Sequence, residues 1–499
     1  MQERYIATVD LGTSKLALCV AKVVGDNVQI IYYKERPSDG MRYNCVYNPR
    51  RAAAPLRTAI AEAEDELQIK ILQVVVGLPR YNVRQETASA KIDRSDPSVL
   101  IEEEEINNLK SMALDSYPLT DGSNEVIYGA VPQSFSTDDV IGNEEDVVGT
   151  SSDSLTGNFK IFVGKKKAVH NVDIMLNDAG VALAQAIFPP AAVGDAVLKN
   201  DEMSNGVALL EIGAGVTSVS IYQGGIMRYF GYIPFGGKSI TTDIRMECAF
   251  DDRLAENIKL AFGACMPEKL QTMGDKILQI NDDENGTYEN LPVKYLSEII
   301  TARCREIIIA MLFLIQESGF ADRLRCGIVI TGGGANLVNL GNMIKEMSGY
   351  NVRVGFPLAG RFSSDGCPGI GEAEATTSVG LILEAASDPY LNCIEDAVKP
   401  EPATDTVAET KIEEVKPDEN GQGNLFRPDD FGKVEEKIKK VQPRKQDKPK
   451  PEKQPKPEKQ SKQAPVIWVK KFEKIFNKSF DGLFGDLYDE MGNNNEGRK

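Results

Sequence analysis

The sequence predicts an α/β protein with two similar lobes, followed by a linker and a short amphipathic segment. Residues 5–20 read as an apolar strand, an acidic residue, a glycine turn and a second strand, and residues 207–222 repeat that order. Apolar segments alternate with Gly, Asn and Asp turns up to about residue 388, which is typical of a folded α/β body. Duplication on this scale favours two related lobes that face each other.

Composition and charge exclude several classes of protein. The chain has 499 residues, too many for one ordinary domain, and its formal net charge of −17 argues against nucleic-acid binding. Its 8 cysteines are scattered without a C-x-x-C pair, so neither a disulfide framework nor a zinc site is predicted. The single histidine, His170, excludes catalytic triads and metal sites built on histidine. No signal peptide is predicted at the first residues.

The two glycine turns have the chemistry of a phosphate site. Each follows a strand that ends in an acidic residue, Asp10 in the first copy and Glu211 in the second. Backbone N–H groups and hydroxyls at such turns can hold a polyphosphate, and the two carboxylates are placed to hold a hydrated Mg²⁺ between them. One such turn alone is more simply a hairpin with an acidic cap, but two in register favour the phosphate site. The residues predicted to bind are Gly12, Thr13, Ser14, Lys15, Gly213, Ala214, Gly215, Val216 and Thr217.

A third glycine cluster, Gly332, Gly333 and Gly334, follows a buried strand and precedes a helix expected over residues 337–347. A turn without side chains suits the close approach of a base and ribose, although the glycines could equally serve only strand–helix packing. Residues 213–218 and 231–239 approach the dinucleotide and P-loop patterns but break their spacing or context. The turn that includes Gly237 and Lys238 is instead interpreted as a helix cap near the nucleotide.

Two further segments of the body stand apart. Residues 84–167 are acidic and rich in turns, with a helix expected to start near residues 101–106 and a long loop over residues 143–158. They predict a small α+β insertion. Residues 241–319 are expected to be mainly helical and to end in a helix over residues 296–317.

The end of the chain predicts a disordered linker and an amphipathic helix. From about residue 398 to 463 the chain is rich in Pro, Lys, Glu and Gln, and residues 433–462 hold 12 basic against 5 acidic side chains. Apolar residues then return at helical spacing, with lysines on the other side of the first turns, which is typical of a helix lying in an anionic lipid surface. Docking on the body or on a partner is the alternative. The predicted lipid-binding residues are Trp468, Phe472, Ile475, Phe476, Phe480, Leu483 and Phe484.

These motifs resemble the actin-like ATPase superfamily, and within it the FtsA family of bacterial cell division proteins. Residues 10–15 (DLGTSK) and 211–216 resemble the family's two phosphate loops, and residues 330–335 resemble its adenosine loop. Glu256 and Lys259 are similar to a family pair that faces the ribose. The resemblance spans about residues 5–386, and three departures weaken the expectation of hydrolysis. These are Glu211 for the usual Asp, Val216 for the usual Thr, and a long acidic and Ser-rich loop over residues 137–158 in place of the family's more compact Gly-rich pattern.

The resemblance implies a two-lobed actin-like (ribonuclease H-like) fold with ATP and Mg²⁺ in the cleft. It also implies slow ATP turnover at most, self-association into filaments, and a role in tethering the FtsZ ring to the inner face of the cytoplasmic membrane. The expected boundaries are residues 1–83 and 168–200 for the first lobe, 84–167 for the FtsA-type insertion, 201–390 for the second lobe, 391–465 for the disordered linker and 466–490 for the membrane-targeting helix.

Three other readings of the same fold stay open at this point. A sugar or acetate kinase would need a catalytic Asp and a sugar loop, which the sequence does not reveal. A chaperone-type ATPase would need a β-rich domain after the body. A pilus-assembly ATPase or a rod-shape polymer would not need the linker and the terminal helix.

Overall fold

The structure is a computed structural model, and it describes residues 3–282 and 287–394. All of them belong to one compact unit, residues 1–398. Most of the predicted linker and all of the predicted amphipathic helix, residues 466–490, lie outside the described residues.

The first lobe begins with three long strands, which are continued by a helix and a parallel strand. Its first elements are β1 (Arg4–Leu11), β2 (Lys15–Val24), β3 (Asn27–Pro37), β4 (Met41–Arg42), β5 (Cys45–Val46), α1 (Pro49–Leu67) and β6 (Gln73–Gly77). Helix α1 starts where the sequence provides a cap, because the Asn48 side chain accepts a hydrogen bond from the Arg51 N–H at 3.2 Å. It ends at Gln68, which has left-handed backbone angles.

An α+β insertion interrupts the first lobe after β6. Its elements are β7 (Arg84–Asp93), α2 (Glu103–Ser116), β8 (Glu125–Ser136), β9 (Ile141–Gly142), α3 (Glu144–Val147) and β10 (Ser154–Lys165). The strands form a separate sheet in the order β7-β10-β8-β9, and α2 packs on one face over a core that includes Leu109, Phe135 and Phe159. On the other face Phe162 stacks on Phe188 of the main body at 4.6 Å between ring centres, which anchors the insertion.

The chain then completes the first lobe and enters the second. The connecting elements are α4 (Lys166–Ala179), β11 (Ala182–Ile187), α5 (Pro189–Val197) and α6 (Asn200–Asn205). The second lobe contains β12 (Val207–Ile212), β13 (Thr217–Gln223), β14 (Ile226–Ile233), α7 (Gly237–Cys248), α8 (Asp252–Phe262), β15 (Ile277–Asp282), β16 (Thr287–Pro292), α9 (Val293–Glu317), β17 (Ile328–Thr331), α10 (Leu340–Ser348) and β18 (Val352–Val354). The last two elements, β19 (Ser363–Ser364) and α11 (Thr376–Ala386), lie against the first lobe, where β19 pairs with β3.

The two lobes repeat one sheet topology. The first sheet has the order β11-β6-β1-β2-β3-β19 and the second has the order β14-β13-β12-β17-β18. In each sheet three consecutive strands pair antiparallel, and two later strands add in parallel beside the first of the three. Strand β12 is buried along its whole length, as expected for a central strand covered on both faces. The duplicated strand–turn–strand pattern of the sequence therefore corresponds to β1–β2 and β12–β13.

Helices α5 and α11 join the two lobes. Helix α5 carries the chain from the first sheet towards the second, and α11 packs on α5 and on β1, β2 and β6. The helices approach closely at Gly380, where an added Cβ would lie 2.6 Å from the carbonyl oxygen of Ala192. The chain then returns to the first sheet, where the Cys393 N–H donates to the carbonyl oxygen of Tyr5 at 2.7 Å.

Two expectations about local structure were wrong. The segment expected to be a loop, residues 143–158, contains α3 and the start of β10, because Phe159 and its neighbours enter the core of the insertion. The helix expected over residues 337–347 begins only at Leu340, since the 3₁₀ turn Gly333–Asn336 comes first. Residues 241–319 are mainly helical, as expected, and also contain the hairpin β15–β16. Among the described helices, none is both long enough and apolar enough to cross a membrane.

Candidate functional site

A cavity of about 610 Å³ lies between the glycine turns of the two sheets. The turn that joins β1 to β2 forms one wall, and the turn that joins β12 to β13 forms the opposite wall. Most of the residues predicted from the sequence to bind nucleotide or metal line it. These are Asp10, Gly12, Thr13, Ser14, Lys15, Glu211, Gly213, Ala214, Gly215, Val216, Gly237, Glu256, Lys259, Gly332, Gly333 and Gly334.

Two predicted residues do not line the cavity. Thr217 is fully buried, and its hydroxyl donates to the carbonyl oxygen of Phe235 at 2.9 Å. The Lys238 side chain is exposed, while its backbone N–H donates to the carbonyl oxygen of Ala214 at 2.7 Å. The side chains of both residues therefore lie outside the cavity, and only the backbone of Lys238 contacts the second turn.

The two phosphate-type turns approach each other directly across the cleft. A Cβ added to Gly215 would lie 2.6 Å from the Thr13 hydroxyl oxygen, so these turns are close to contact. A Cβ added to Gly12 would overlap the carbonyl oxygen of Lys15, which shows how tightly the first turn is folded. Glycine at these positions leaves backbone N–H groups accessible to a ligand, which is the geometry of an anion-binding turn.

The far end of the cavity combines a charged pair with a flat glycine surface. The Lys259 ammonium donates to Glu256 Oε2 at 2.7 Å, to the Thr241 hydroxyl at 2.9 Å and to the carbonyl oxygen of Gly237 at 3.0 Å. Across the cavity, Gly332 has φ of +82°, a backbone conformation that favours glycine. Side chains with hydrogen-bonding capacity thus face a surface that a planar ring can approach.

Lys15 and Arg80 form ion pairs on the cavity wall. Lys15 Nζ lies 2.5 Å from Glu35 Oε1 and 2.8 Å from Glu374 Oε2, so it connects β3 with the 3₁₀ turn Ala373–Ala375. Arg80 Nη2 lies 2.6 Å from Glu211 Oε1, which joins the loop after β6 to the end of β12. The Lys15–Glu374 and Arg80–Glu211 pairs link residues that are far apart in the sequence.

The two predicted metal-facing acids lie in different environments. Burial raises the pKa of the Asp10 carboxyl to about 6, the Arg80 guanidinium acts to lower it, and the nearby Glu211 raises it further. No hydrogen bond to the Asp10 carboxylate occurs within residues 3–282 and 287–394. Glu211, in contrast, already binds Arg80 and accepts a hydrogen bond from the Thr377 hydroxyl at 2.9 Å.

A hydrated Mg²⁺ fits this donor set mainly through Asp10. Mg²⁺ in nucleotide sites keeps several waters and needs one or two carboxylates besides the phosphates. Asp10 supplies one such carboxylate on the cavity wall, whereas one oxygen of Glu211 is already bound to Arg80 and Thr377. In the described part of the chain, no group of three or more His, Cys, Asp or Glu side chains could hold a metal ion by itself. A metal ion in this cavity would therefore need oxygen ligands from the molecule bound beside it.

Sequence reasoning missed several residues of the cavity wall. They come from segments without a recognisable motif and reach the cleft only through the fold. These residues are Glu35, Asn44, Arg80, Leu260, Gly263, Asn336, Leu337, Glu374 and Thr377. One signal was available for Arg80. It follows β6 by three residues, as Gly334 follows β17, so the internal duplication places both loops at the same cleft.

The raised pKa of Asp10 predicts a pH-dependent stability. Between about pH 4 and 6 the folded state keeps the Asp10 proton that the unfolded state has lost, so this residue makes stability fall as pH rises through that window. We expect Asp10→Asn to raise the thermal unfolding midpoint at pH 7 more than at pH 4.5. The exposed Asp26→Asn serves as the charge-matched control. Equal effects of Asp10→Asn at the two pH values would contradict the assignment.

Comparison with proteins of known structure identifies the fold. The chain is similar to a solved structure described as a PilM–PilN type IV pilus biogenesis complex, with a TM-score of 0.53 and 17% identity over 77% of this chain and 99% of that chain. With the sheet topology that the two lobes share, this similarity shows the two-lobed actin-like fold predicted from the sequence.

Comparison at the level of sequence identifies the family. The profile described as cell division protein FtsA matches residues 208–380. The cell division protein FtsA of Neisseria meningitidis serogroup B is 30% identical over 71% of this chain and 84% of its own length. The FtsA of Borreliella burgdorferi is 28% identical over 77% of this chain and 91% of its own length. The chain therefore belongs to the FtsA family of cell division proteins.

Proposed function

We propose that this chain is an ATP-binding adaptor that tethers the FtsZ ring to the inner face of the cytoplasmic membrane and helps to recruit later division proteins. Membership of the FtsA family supports a role in division, and the cleft supports the nucleotide. The observation that carries the proposal is the approach of the two glycine turns. Gly215 lies close to Thr13, and both residues line the cavity of about 610 Å³.

The proposed binding mode follows from the chemistry of the two ends of the cavity. The phosphates would lie between the two turns, residues 12–15 and 213–216, where backbone N–H groups and the Thr13 and Ser14 hydroxyls are available. The ribose would lie near Glu256 and Lys259, and the base would lie on the glycine surface of residues 332–334. Lys15 would have to exchange at least one of its carboxylate partners for a phosphate oxygen.

Charge supports the participation of a divalent cation. Five acidic and three basic side chains line the cavity in the described part of the chain, so a polyphosphate would enter a negatively charged site. Mg²⁺ would offset part of this charge, held through water by Asp10. Glu211, the second acid predicted from the sequence, is already bound by Arg80 and Thr377. When bound, the cation would supply charge neutralisation between the phosphate oxygens.

We propose that ATP hydrolysis is slow. A fast hydrolase needs a group that orients or deprotonates the attacking water within hydrogen-bonding reach of the phosphate. Among the described residues, Glu211 is occupied by Arg80 and Thr377, and Asp10 is the acid proposed to hold the cation, so neither is placed to deprotonate water. This arrangement is less suited to fast catalysis than to a protein in which the bound nucleotide stabilises one conformation. Self-association into filaments through the two-lobed body remains part of the proposal.

The membrane contact is proposed for residues 466–490, which lie outside the described residues. We expect Phe472→Glu combined with Phe476→Glu to remove most of the sedimentation of the full chain with anionic liposomes, since both charges fall on the predicted apolar face. Gln463→Glu with Asn477→Glu adds the same two charges away from that face and should sediment like the unchanged protein. Undiminished lipid binding by the phenylalanine double variant would reject the membrane contact and would favour a protein-binding role for residues 466–490.

The tethering function has a direct test. Purified FtsZ should sediment with anionic liposomes when this chain and ATP are present, and should stay in the supernatant when the chain is omitted. The Phe472→Glu, Phe476→Glu variant should also leave FtsZ in the supernatant. Failure of the unchanged chain to bring FtsZ to the liposomes would reject the adaptor proposal.

A further inference from the structure

Arg80 is a buried cation at the end of the cavity where the phosphates are proposed to lie. No motif in the sequence predicted it. Its side chain is only 9% exposed, and it lines the cavity beside Asp10 and Glu211. The surrounding loops hold it in place, because its backbone N–H donates to Asn44 Oδ1 at 3.2 Å, and the Asn44 N–H in turn donates to the Thr13 hydroxyl at 2.8 Å. The backbone of Arg80 is thus linked through Asn44 to the first phosphate-type turn.

The hydrogen-bonding capacity of Arg80 is only partly used. A guanidinium carries five N–H donors. Nη2 binds Glu211 Oε1 at 2.6 Å and the Thr377 hydroxyl at 3.1 Å, while Nε is buried and has no hydrogen-bond partner in the described part of the chain. Buried donors without partners are costly, particularly on a charged group. A guanidinium with unused donors beside a cavity favours an anionic ligand, and phosphate oxygens match its geometry.

The ion pair also changes what Glu211 can do. Glu211 is 9% exposed, and its Oε1 atom is bound by both Arg80 and Thr377. A carboxylate that is already neutralised by a guanidinium has little charge left to attract a divalent cation. Arg80 therefore occupies the electrostatic role that a metal ion would otherwise have beside this acid.

The internal duplication supports the placement. Strand β6 lies parallel to β1, and β17 lies parallel to β12, so the loops that follow them are counterparts in the two lobes. Gly334 and Arg80 each lie three residues beyond those strands. The second lobe thus presents a flat surface at this position, and the first lobe presents a cation.

We propose that Arg80 binds the phosphate chain of the nucleotide and that its pairing with Glu211 replaces one carboxylate–Mg²⁺ contact, so that the cleft holds ATP with a reduced requirement for Mg²⁺. The inference rests on the proposed nucleotide site and specifies its dependence on the cation. It concerns binding alone and involves no chemical step.

The test is the ratio of the ATP dissociation constant in EDTA to that in Mg²⁺, measured by calorimetry on the full chain. We expect a ratio below about tenfold for the unchanged protein. Arg80→Met should raise the ratio at least about tenfold, because it exposes the phosphates to an unpaired Glu211 and frees that acid to bind Mg²⁺. Arg57→Met, at an exposed arginine on α1, should leave the ratio unchanged.

Two further variants separate charge from structural support. Arg80→Lys keeps the positive charge and should keep the low ratio. Arg80→Met with Glu211→Gln removes the orphaned acid, so this variant should fold even where the single variant does not. Its affinity should be weaker than that of the unchanged protein, and its ratio should return towards the low value.

The outcomes distinguish this inference from the proposed function. No ATP binding by the unchanged protein in either condition would reject the nucleotide site and the inference with it. ATP binding with a high ratio in the unchanged protein, or with an equally low ratio in the unchanged protein and in Arg80→Met, would reject the role of Arg80 alone. A high ratio for Arg80→Lys would also reject it, since the charge would then be irrelevant.

Discussion

Replacing Gly12 with valine should weaken ATP binding at least about tenfold, since overpacking a tight site costs about 1–3 kcal/mol. The reason is steric, because a Cβ at residue 12 would overlap the carbonyl oxygen of Lys15, which is backbone and cannot rotate away. The turn would have to open, and its N–H groups would no longer point at one position. Calorimetric titration with ATP and Mg²⁺ measures the effect.

The matched control for this substitution is Gly360→Val. No atom lies within 4 Å of a Cβ built at Gly360, so the same change in side chain should leave both affinity and stability nearly unchanged. Wild-type affinity in Gly12→Val, with the control behaving as expected, would show that the nucleotide does not lie at this turn.

Gly380→Val should lower the free energy of unfolding by about 3 kcal/mol, at the upper end of the usual cost of overpacking. An added Cβ would lie 2.6 Å from the carbonyl oxygen and 2.7 Å from the carbonyl carbon of Ala192, so α11 and α5 would have to move apart. Helix propensity alone predicts the opposite sign, because valine is a better helix former than glycine. Denaturant unfolding of the full chain measures the difference.

The same substitution should also affect the cleft. Helix α11 carries Thr377, whose hydroxyl donates to Glu211, so a displaced helix would disturb the Arg80–Glu211 ion pair. Gly371→Val is the control, since it has open space around the added Cβ. Unchanged stability in Gly380→Val would mean that the two helices are not held at this distance in solution.

Local sequence patterns were sufficient to predict the two repeated strand–turn–strand units of the fold. The glycine turns of β1–β2 and β12–β13 follow apolar strands, and strand periodicity together with turn chemistry depends only on neighbouring residues. The third glycine cluster also follows its strand as expected. These three motifs were therefore placed correctly on strands and turns, although the family membership came from resemblance and comparison rather than from spacing.

Predictions were less successful where long-range packing decided the local structure. Residues 143–158 have the composition of a loop, yet the strand β10 begins within them because Phe159 packs on Phe135 at 5.8 Å between ring centres. Strand formation in such a segment depends on partner strands that lie elsewhere in the sequence, here β7 and β8.

The sequence by itself determined that two acid-and-glycine turns exist and that they belong to duplicated lobes, because each turn is encoded within about a dozen residues. Only the tertiary structure decided what those acids contact. Arg80 reaches Glu211 across 131 positions of the chain, and Lys15 reaches Glu374 across 359. No local pattern encodes such pairs, since they arise when two sheets are brought together by α5 and α11. The charge balance of the cleft, and with it the expected role of Mg²⁺, is therefore a property of the folded chain.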